Sequence, residues 1–328
     1  MRKHNLSRPH AGLVVLIAFS CVVPFFLSTY YCGVATELLI FIILALSFRL
    51  ILTTGGWNLA HYVVMGCGAY FSAIMVRDFG WPFWATLPVA GLVTALVGLV
   101  LSYPLARMRE FAYLIGSYAM GEAIRLSWNR LEYPFGGPGG ITDIPRPSPW
   151  SIPGLPTIDF RQAIPYYFLV LGVMLVSLFI MYRIDRSRLG DTFKSIYSQD
   201  VLAESVGISI VGYKRLAFVI GSFFAGICGV LLGHYHGAID PAVFALGPLI
   251  ILLAWLAVGG ITTFTGPIIG TVFFVLLAEA LRPLGAWRPL VYGCVLIGVL
   301  LFMPYGLEGL PAMVAPRVKR LRRRIRRE

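Results

Sequence analysis

Two pairs of opposite charges interrupt otherwise apolar sequence: Glu122 with Arg125, and Glu279 with Arg282, each three residues apart. Residues at that spacing share one face of a helix, so each carboxylate can meet its guanidinium. An isolated charge at mid-bilayer costs roughly 2.5 to 3.5 kcal/mol on insertion scales, so each needs a partner or a wet cavity. Glu279 and Arg282 fall near the end of their apolar run, where long side chains reach the interface. An ion pair that fixes packing is enough for them. Glu122 is placed deeper and reads as a residue facing a cavity. Asn58, His61 and Asn129 extend this polar set, although a lone histidine in such a run is more often a packed or capping residue. Glu37 and Arg49 occupy opposite parts of one run; Arg49, close to the run's end, calls for no special partner.

Catalytic patterns are missing. No stretch matches Gly-x-x-x-x-Gly-Lys-Ser/Thr, the loop whose amides cradle phosphates, and no zinc spacing, nucleophile elbow or dinucleotide fingerprint occurs. An enzyme has little support, and no cofactor is expected on this chain. If ATP drives the protein, ATP and its magnesium sit on another polypeptide. The five cysteines, Cys21, Cys32, Cys67, Cys228 and Cys294, lie within or beside apolar runs without metal-ligand spacing. They read as packing residues, and no metal site is expected.

The elements that hold these residues are set by composition. Of 328 residues, 58% are hydrophobic and 13% charged, against roughly 25% charged in soluble domains, so most of the surface must face lipid. Runs long enough to cross about 30 Å of hydrocarbon occur at Ala11–Tyr31, Gly33–Leu52, Phe83–Tyr103, Phe111–Leu131, Ile164–Arg183, Leu216–His236, Phe264–Leu281 and Trp287–Met303. Leu59–Val76 and Phe244–Ile261 are shorter and flanked by glycine, so either could be a broken or re-entrant helix. The first run follows Arg2, Lys3 and Arg8 but is too long for a signal peptide core and lacks a cleavage site; it reads as a retained span. The expectation is an all-α integral membrane protein of about ten transmembrane or partly re-entrant helices.

Ten spans put both termini on one side, together with Arg107, Arg109, Arg183, Arg186, Arg188, Lys194, Lys214 and Arg215. By the positive-inside rule that side is the cytoplasm. Residues 132–163, rich in Pro and Gly with two basic residues, belong outside as an irregular, ordered loop. The net charge of +12 rests largely on eight basic residues between Arg317 and Arg327. Because this tail, 316–328, directly follows a hydrophobic span, it points to an anionic membrane surface and away from nucleic acid. A transmembrane domain over 1–315 is thus expected.

The segment Ile184–Arg215 is the one sizeable loop with helical pattern outside the spans: Phe193, Ile196, Tyr197 and Val201 fall on one face, and Glu204 and Gly207 close it. Such a short amphipathic helix suits two roles equally, a surface that a soluble motor pushes or a helix resting on headgroups. Two Gly-Gly steps, Gly55-Gly56 and Gly259-Gly260, each precede another glycine by ten positions, Gly66 and Gly270. That is a weak internal repeat at most.

The stretch Gly55-Gly56-Trp57-Asn58-Leu59-Ala60-His61, with Gly66-Cys67-Gly68-Ala69-Tyr70, resembles the Gly-x-x-Ser-Leu-Gly-His and Gly-x-Gly-Ala-Tyr elements of M-type branched-chain amino acid ABC permeases. The likeness continues through Gly121-Glu122-Ala123-Ile124-Arg125-Leu126, Gly139-Gly140-Ile141 with Ile144-Pro145-Arg146-Pro147, and Ala203-Glu204-Ser205-Val206-Gly207-Ile208 with Tyr213-Lys214 and Leu216-Ala217-Phe218. It ends with Gly259-Gly260, Gly266-Pro267-Ile268-Ile269-Gly270 and Glu279-x-x-Arg282, in family order. The resemblance implies an importer of the bacterial inner membrane in which this subunit pairs with a homologous H-type permease, two cytoplasmic ATPases and a periplasmic substrate-binding protein. It makes Asp200, Ala203, Glu204 and Gly207 the ATPase-coupling residues, while Asn58, His61, Glu122 and Arg125 become candidates for the substrate pathway. Asn58 and Ala60 stand where the family has Ser and Gly, and Thr262 to Thr265 replace Gly-Ser-Leu-Trp. Branched-chain amino acids and other small polar or carboxylate solutes therefore both stay open as substrates. Two further readings come from other classes: an ion-coupled secondary transporter, with Glu122 as the coupling carboxylate, and a non-transporting scaffold, which would need no polar path.

Overall fold

The computed structural model describes residues 20, 23–108, 110–150, 158–302 and 307. Eleven α-helices run along them: α1 Thr29–Leu52, α2 His61–Phe79, α3 Phe83–Leu105, α4 Glu110–Arg130, α5 Ala163–Asp185, the short α6 Arg188–Ser198 and α7 Asp200–Ser205, then α8 Ile210–His236, α9 Leu246–Gly259, α10 Gly266–Ala280 and α11 Arg288–Phe302. Nine of them coincide with nine of the ten apolar runs, and the chain is an all-α membrane protein. The run Ala11–Tyr31 lies mostly outside the described residues, as does the tail 316–328.

Helices α1, α3, α5 and α8 are each long and apolar enough to cross a bilayer, and α10 with α11, bent by 100° at the break between them, makes a fifth unit. The glycine-flanked runs behave differently from each other. Leu59–Val76 forms a full 19-residue helix, α2. Phe244–Ile261 yields only the 14 residues of α9, about 21 Å at 1.5 Å per residue, preceded by a 3-10 turn at Pro241–Phe244.

Helix α8 is the centre of the bundle and packs on α1, α2 and α3. Hydrocarbon gives apolar helices no hydrophobic reason to associate, so close backbone approach and dispersion must do it, and small residues permit that approach. Gly68 of α2 lies so near Gly226 of α8 that a Cβ at Gly68 would run into the Gly226 backbone, and a Cβ at Gly226 would meet Thr94 of α3. The two contacts on Gly226 set α8 between α2 and α3.

The bundle has two distinct ends. At one, the basic end, α1 finishes near Arg49, α5 ends at Asp185, and Arg215 of α8 lies 4.3 Å over the Tyr103 ring of α3. At the other, the loop end, residues 131–150 fold back on the end of α8. Ile141 and Ile239 exchange backbone bonds of 2.8 and 2.9 Å, and Ile144 N donates to Gly237 O at 2.9 Å. The buried His234 ring bridges Pro145 O at 2.6 Å and Ser72 Oγ at 2.8 Å, so the irregular segment is fastened to the end of α8 and through it to α2.

Overpacking at the α2–α8 contact should cost on the order of 1–3 kcal/mol or more. Gly68→Leu is therefore expected to lower the melting temperature in detergent clearly, while Gly172→Leu, at a position with nothing within 4 Å of an added Cβ, leaves it unchanged. Equal melting of the two variants would contradict this packing.

Candidate functional site

The basic end is organised around one side chain. Arg49 is 3% exposed; its Nη1 donates to Asp185 Oδ1 at 2.9 Å, its Nε to Ile261 O at 3.0 Å and its Nη2 to Thr262 O at 3.2 Å. The guanidinium also lies 5.9 Å from the Phe264 ring centre. Asp185 completes the cluster by accepting Lys194 Nζ of α6 at 3.2 Å. Four pieces of chain meet here: α1, the end of α5, α6, and the turn between α9 and α10. The sequence reading gave Arg49 no special partner because it lies near a helix end. The correction is physical: the 261–264 turn covers that end, water is excluded, and a buried guanidinium must then be paired and hydrogen-bonded.

The segment after α5 is two helices where one was expected. Gln199, with extended backbone (φ −157°, ψ 99°), separates α6 from α7. Phe193 and Ile196 are buried against the bundle, 1% and 2% exposed, whereas Tyr197 and Val201 project outward at 48% and 77%. The expected single apolar face is thus split, half of it fastening α6 and half left uncovered together with Leu202 and Val206. The four residues the resemblance assigns to coupling are all in α7 and its end. Asp200 Oδ1 accepts Val201 N at 2.8 Å, Ala203 is buried, and Glu204 is exposed with its carbonyl taking Gly207 N at 2.9 Å. Gly207 has φ +86° and open space where a Cβ would stand, so glycine is needed there for its backbone angle. Ile208 N to Ala203 O at 3.1 Å closes the helix stop.

The inner polar residues form two groups. Asn58 and His61 are fully buried at the start of α2; His61 Nε2 meets Ser47 Oγ of α1 at 3.0 Å, and its ring stacks on Phe48 with centres 4.9 Å apart. Among the described residues, Asn58 Nδ2 and His61 Nδ1 have no hydrogen-bond partner, a costly state for buried polar atoms. Glu122 and Arg125 pair with each other on α4, with Arg125 Nε to Glu122 Oε2 at 2.9 Å and a second bond alongside. No hydrogen bond joins this pair to Asn58 or His61; the link between α4 and that region is Leu59 N to Ser117 Oγ at 3.0 Å. Among the described residues, no group of three His, Cys, Asp or Glu side chains is placed to hold a metal ion.

The family model for the permease component of branched-chain amino acid transport systems matches residues 30–304. Similar proteins include the high-affinity branched-chain amino acid transport system permease protein LivM of Salmonella typhimurium, 29% identical over 94% of this chain and 76% of its own length. LivM of Escherichia coli is 28% identical with the same coverage, and LivH of Escherichia coli is 28% identical over 77% of this chain and 86% of its own. No solved structure matches the chain.

Removing one partner of a buried ion pair costs about 3–5 kcal/mol because the other charge is stranded. Arg49→Met should therefore destabilise the protein strongly, and Arg49→Met with Asp185→Leu should recover part of the loss. Thermal melting of the two variants in detergent checks this; a double variant no more stable than the single would mean that Asp185 is not the partner that matters.

Proposed function

The chain belongs to the branched-chain amino acid transport permease family, and we propose that it is the M-type permease subunit of an ATP-driven importer of branched-chain amino acids or closely related small solutes. The observation that carries this is the family match over residues 30–304, which takes in all the helices from α2 to α10 and the exposed α6–α7 segment. The protein is a multi-pass membrane protein. In this reading the inner membrane holds it with the basic end and both termini in the cytoplasm, residues 132–163 in the periplasm and the 316–328 tail against anionic lipid. A homologous H-type permease completes the channel, two ATPases bind and hydrolyse ATP with magnesium, and a periplasmic binding protein delivers the solute.

The α6–α7 segment is the seat of an ATPase. Its outward side carries Tyr197, Val201, Leu202 and Val206 beside Asp200 and Glu204, and its inward side is bonded to the bundle through Lys194 and Asp185. Force applied to α6 then reaches α1 and the 261–262 turn through Arg49. The solute path is placed along α2 and α4, near Asn58, His61, Glu122 and Arg125. The unpartnered Asn58 Nδ2 and His61 Nδ1 favour a place that water or solute visits. Glu122, the carboxylate that an ion-coupled mechanism would use along this path, is already bonded to Arg125.

Gly207→Val penalises the positive φ of the α7 stop, and Glu204→Lys reverses the charge shown to the motor. Both variants should insert and assemble yet lose substrate-stimulated ATP hydrolysis. Normal stimulation in both would reduce α7 to a surface helix, and uptake by this polypeptide alone, driven by an ion gradient and indifferent to ATP, would overturn the proposed function.

A further inference from the structure

A cavity of about 400 Å³ opens at the loop end between α1, the end of α8, α9 and α10, apart from the path proposed above. Its apolar part is made by Val34, Phe41, Trp255 and Val275. Phe41 and Trp255 meet edge to face at 5.7 Å, and Trp255 is held in place by donating its Nε1 hydrogen to the Tyr292 hydroxyl. Its charged part contains both signs: Glu37 and Glu279 against Arg282 and Arg288.

These charges are not equivalent. Glu279 is occupied, accepting the Tyr30 hydroxyl at 2.9 Å with Arg282 Nη1 at 3.6 Å, and Arg282 lies 4.2 Å over the Tyr30 ring. Glu37 stands two turns inside α1, about 12 Å from its first residue at 1.5 Å per residue. Its basic partner among the described residues is His236, Nε2 at 3.5 Å and half-exposed. Arg288 is exposed and forms no ion pair among the described residues. A carboxylate paired only with a half-exposed histidine and a guanidinium with no ion pair among the described residues thus share a cavity with an aromatic floor. An ionisable residue at this depth in a membrane helix marks a functional site by default, and the volume falls in the range of small-molecule pockets.

We propose that this cavity binds a small zwitterion with an apolar side chain, its ammonium at Glu37, its carboxylate at Arg288 and its side chain against Phe41, Trp255 and Val275. A plain carboxylate would face two acidic groups without an ammonium to answer them. An amine without a carboxylate would leave Arg288 unmatched. A solute with both charges and an aliphatic branch satisfies the whole lining. The choice of solute class rests on the proposed function, and the site lies on the side where an importer receives its cargo.

The test uses the assembled transporter in proteoliposomes, with leucine as the probe and Ala278→Cys, on the cavity wall, in a cysteine-free background. Leucine should slow labelling of residue 278 by a membrane-impermeant thiol reagent at least fivefold, and 4-methylpentanoate, which lacks the amino group, should not. Glu37→Gln should abolish that protection and raise KM for leucine uptake at least tenfold. Arg288→Gln, at an exposed position where folding is not at stake, should do the same, whereas Glu132→Gln, outside the cavity, should stay within twofold. Equal labelling with and without leucine, in a complex whose ATP-driven uptake is intact, overturns the site and leaves the proposed function standing. A residue 278 sealed from reagent under all conditions means lipid or a neighbouring chain fills the cavity, and also overturns it. Uptake that ignores ATP while leucine still protects residue 278 overturns the function and keeps the site.

Discussion

A guanidinium that cannot reach water organises this protein. Arg49 is buried under the turn between α9 and α10, and its three hydrogen bonds go to one carboxylate and two backbone carbonyls on two other stretches of chain, the end of α5 and residues 261–262. In a low-dielectric surrounding such a group is tolerated only when every neighbour is placed for it. The carbonyls of Ile261 and Thr262 gain as well, because a buried turn must have its polar groups satisfied by protein or by water. The cluster therefore links two features of the basic end, a buried charge near the end of α1 and the break between α9 and α10 that covers it.

The rest of the bundle follows from a different constraint, the absence of a hydrophobic force between apolar helices in lipid. Helix α8 solves it with small residues, so that α2 and α3 approach its backbone on two sides. Helix α4 is different: its packing on α2 runs through fewer positions, chiefly Gly121 against Ala60 and Trp128 against Tyr70, while Phe111, Ile115 and Leu126 are left exposed. A tight group of α1, α2, α3, α5 and α8 with a more loosely held α4 is an arrangement in which a second permease can cover α4 without disturbing the group.

Much of this was legible in the sequence, because hydropathy and helix length read the same physics as the bilayer does. Nine apolar runs became nine helices, and the order of short glycine-rich elements placed the chain in its family. The ion pairs Glu122–Arg125 and Glu279–Arg282 also followed from spacing alone. What sequence could not show is contact between distant elements. Arg49 and Asp185 are 136 positions apart, and nothing local marks them as partners beyond opposite charge at the same end of two apolar runs. The split of the α6–α7 face was hidden for a similar reason: helical spacing says which residues share a face, but only the docking of Phe193 and Ile196 on the bundle decides which half stays uncovered. Asn58 and His61 stand out in the sequence as polar residues, while the pairing of His61 with Ser47 and Phe48 depends on how the turn after α1 folds back.

Helix α1 connects the two polar centres. It carries Glu37 beside the loop-end cavity and Arg49 at the basic end, twelve residues and so about 18 Å apart at 1.5 Å per residue, on a helix whose middle is almost entirely buried. The α9–α10 hairpin touches α1 at both places: its turn is bonded to Arg49, and Glu279 near its far end takes the Tyr30 hydroxyl. Between these two polar contacts lie apolar ones such as Phe41 on Trp255, which slide at less cost than hydrogen bonds break. A displacement of α6 that alters the Asp185–Arg49 geometry therefore bears on the hairpin turn, because the same guanidinium holds Ile261 O and Thr262 O and breaking those bonds would leave a buried charge less satisfied. The same hairpin forms one wall of the cavity, so the geometry couples the end where force would arrive to the end where a solute would sit.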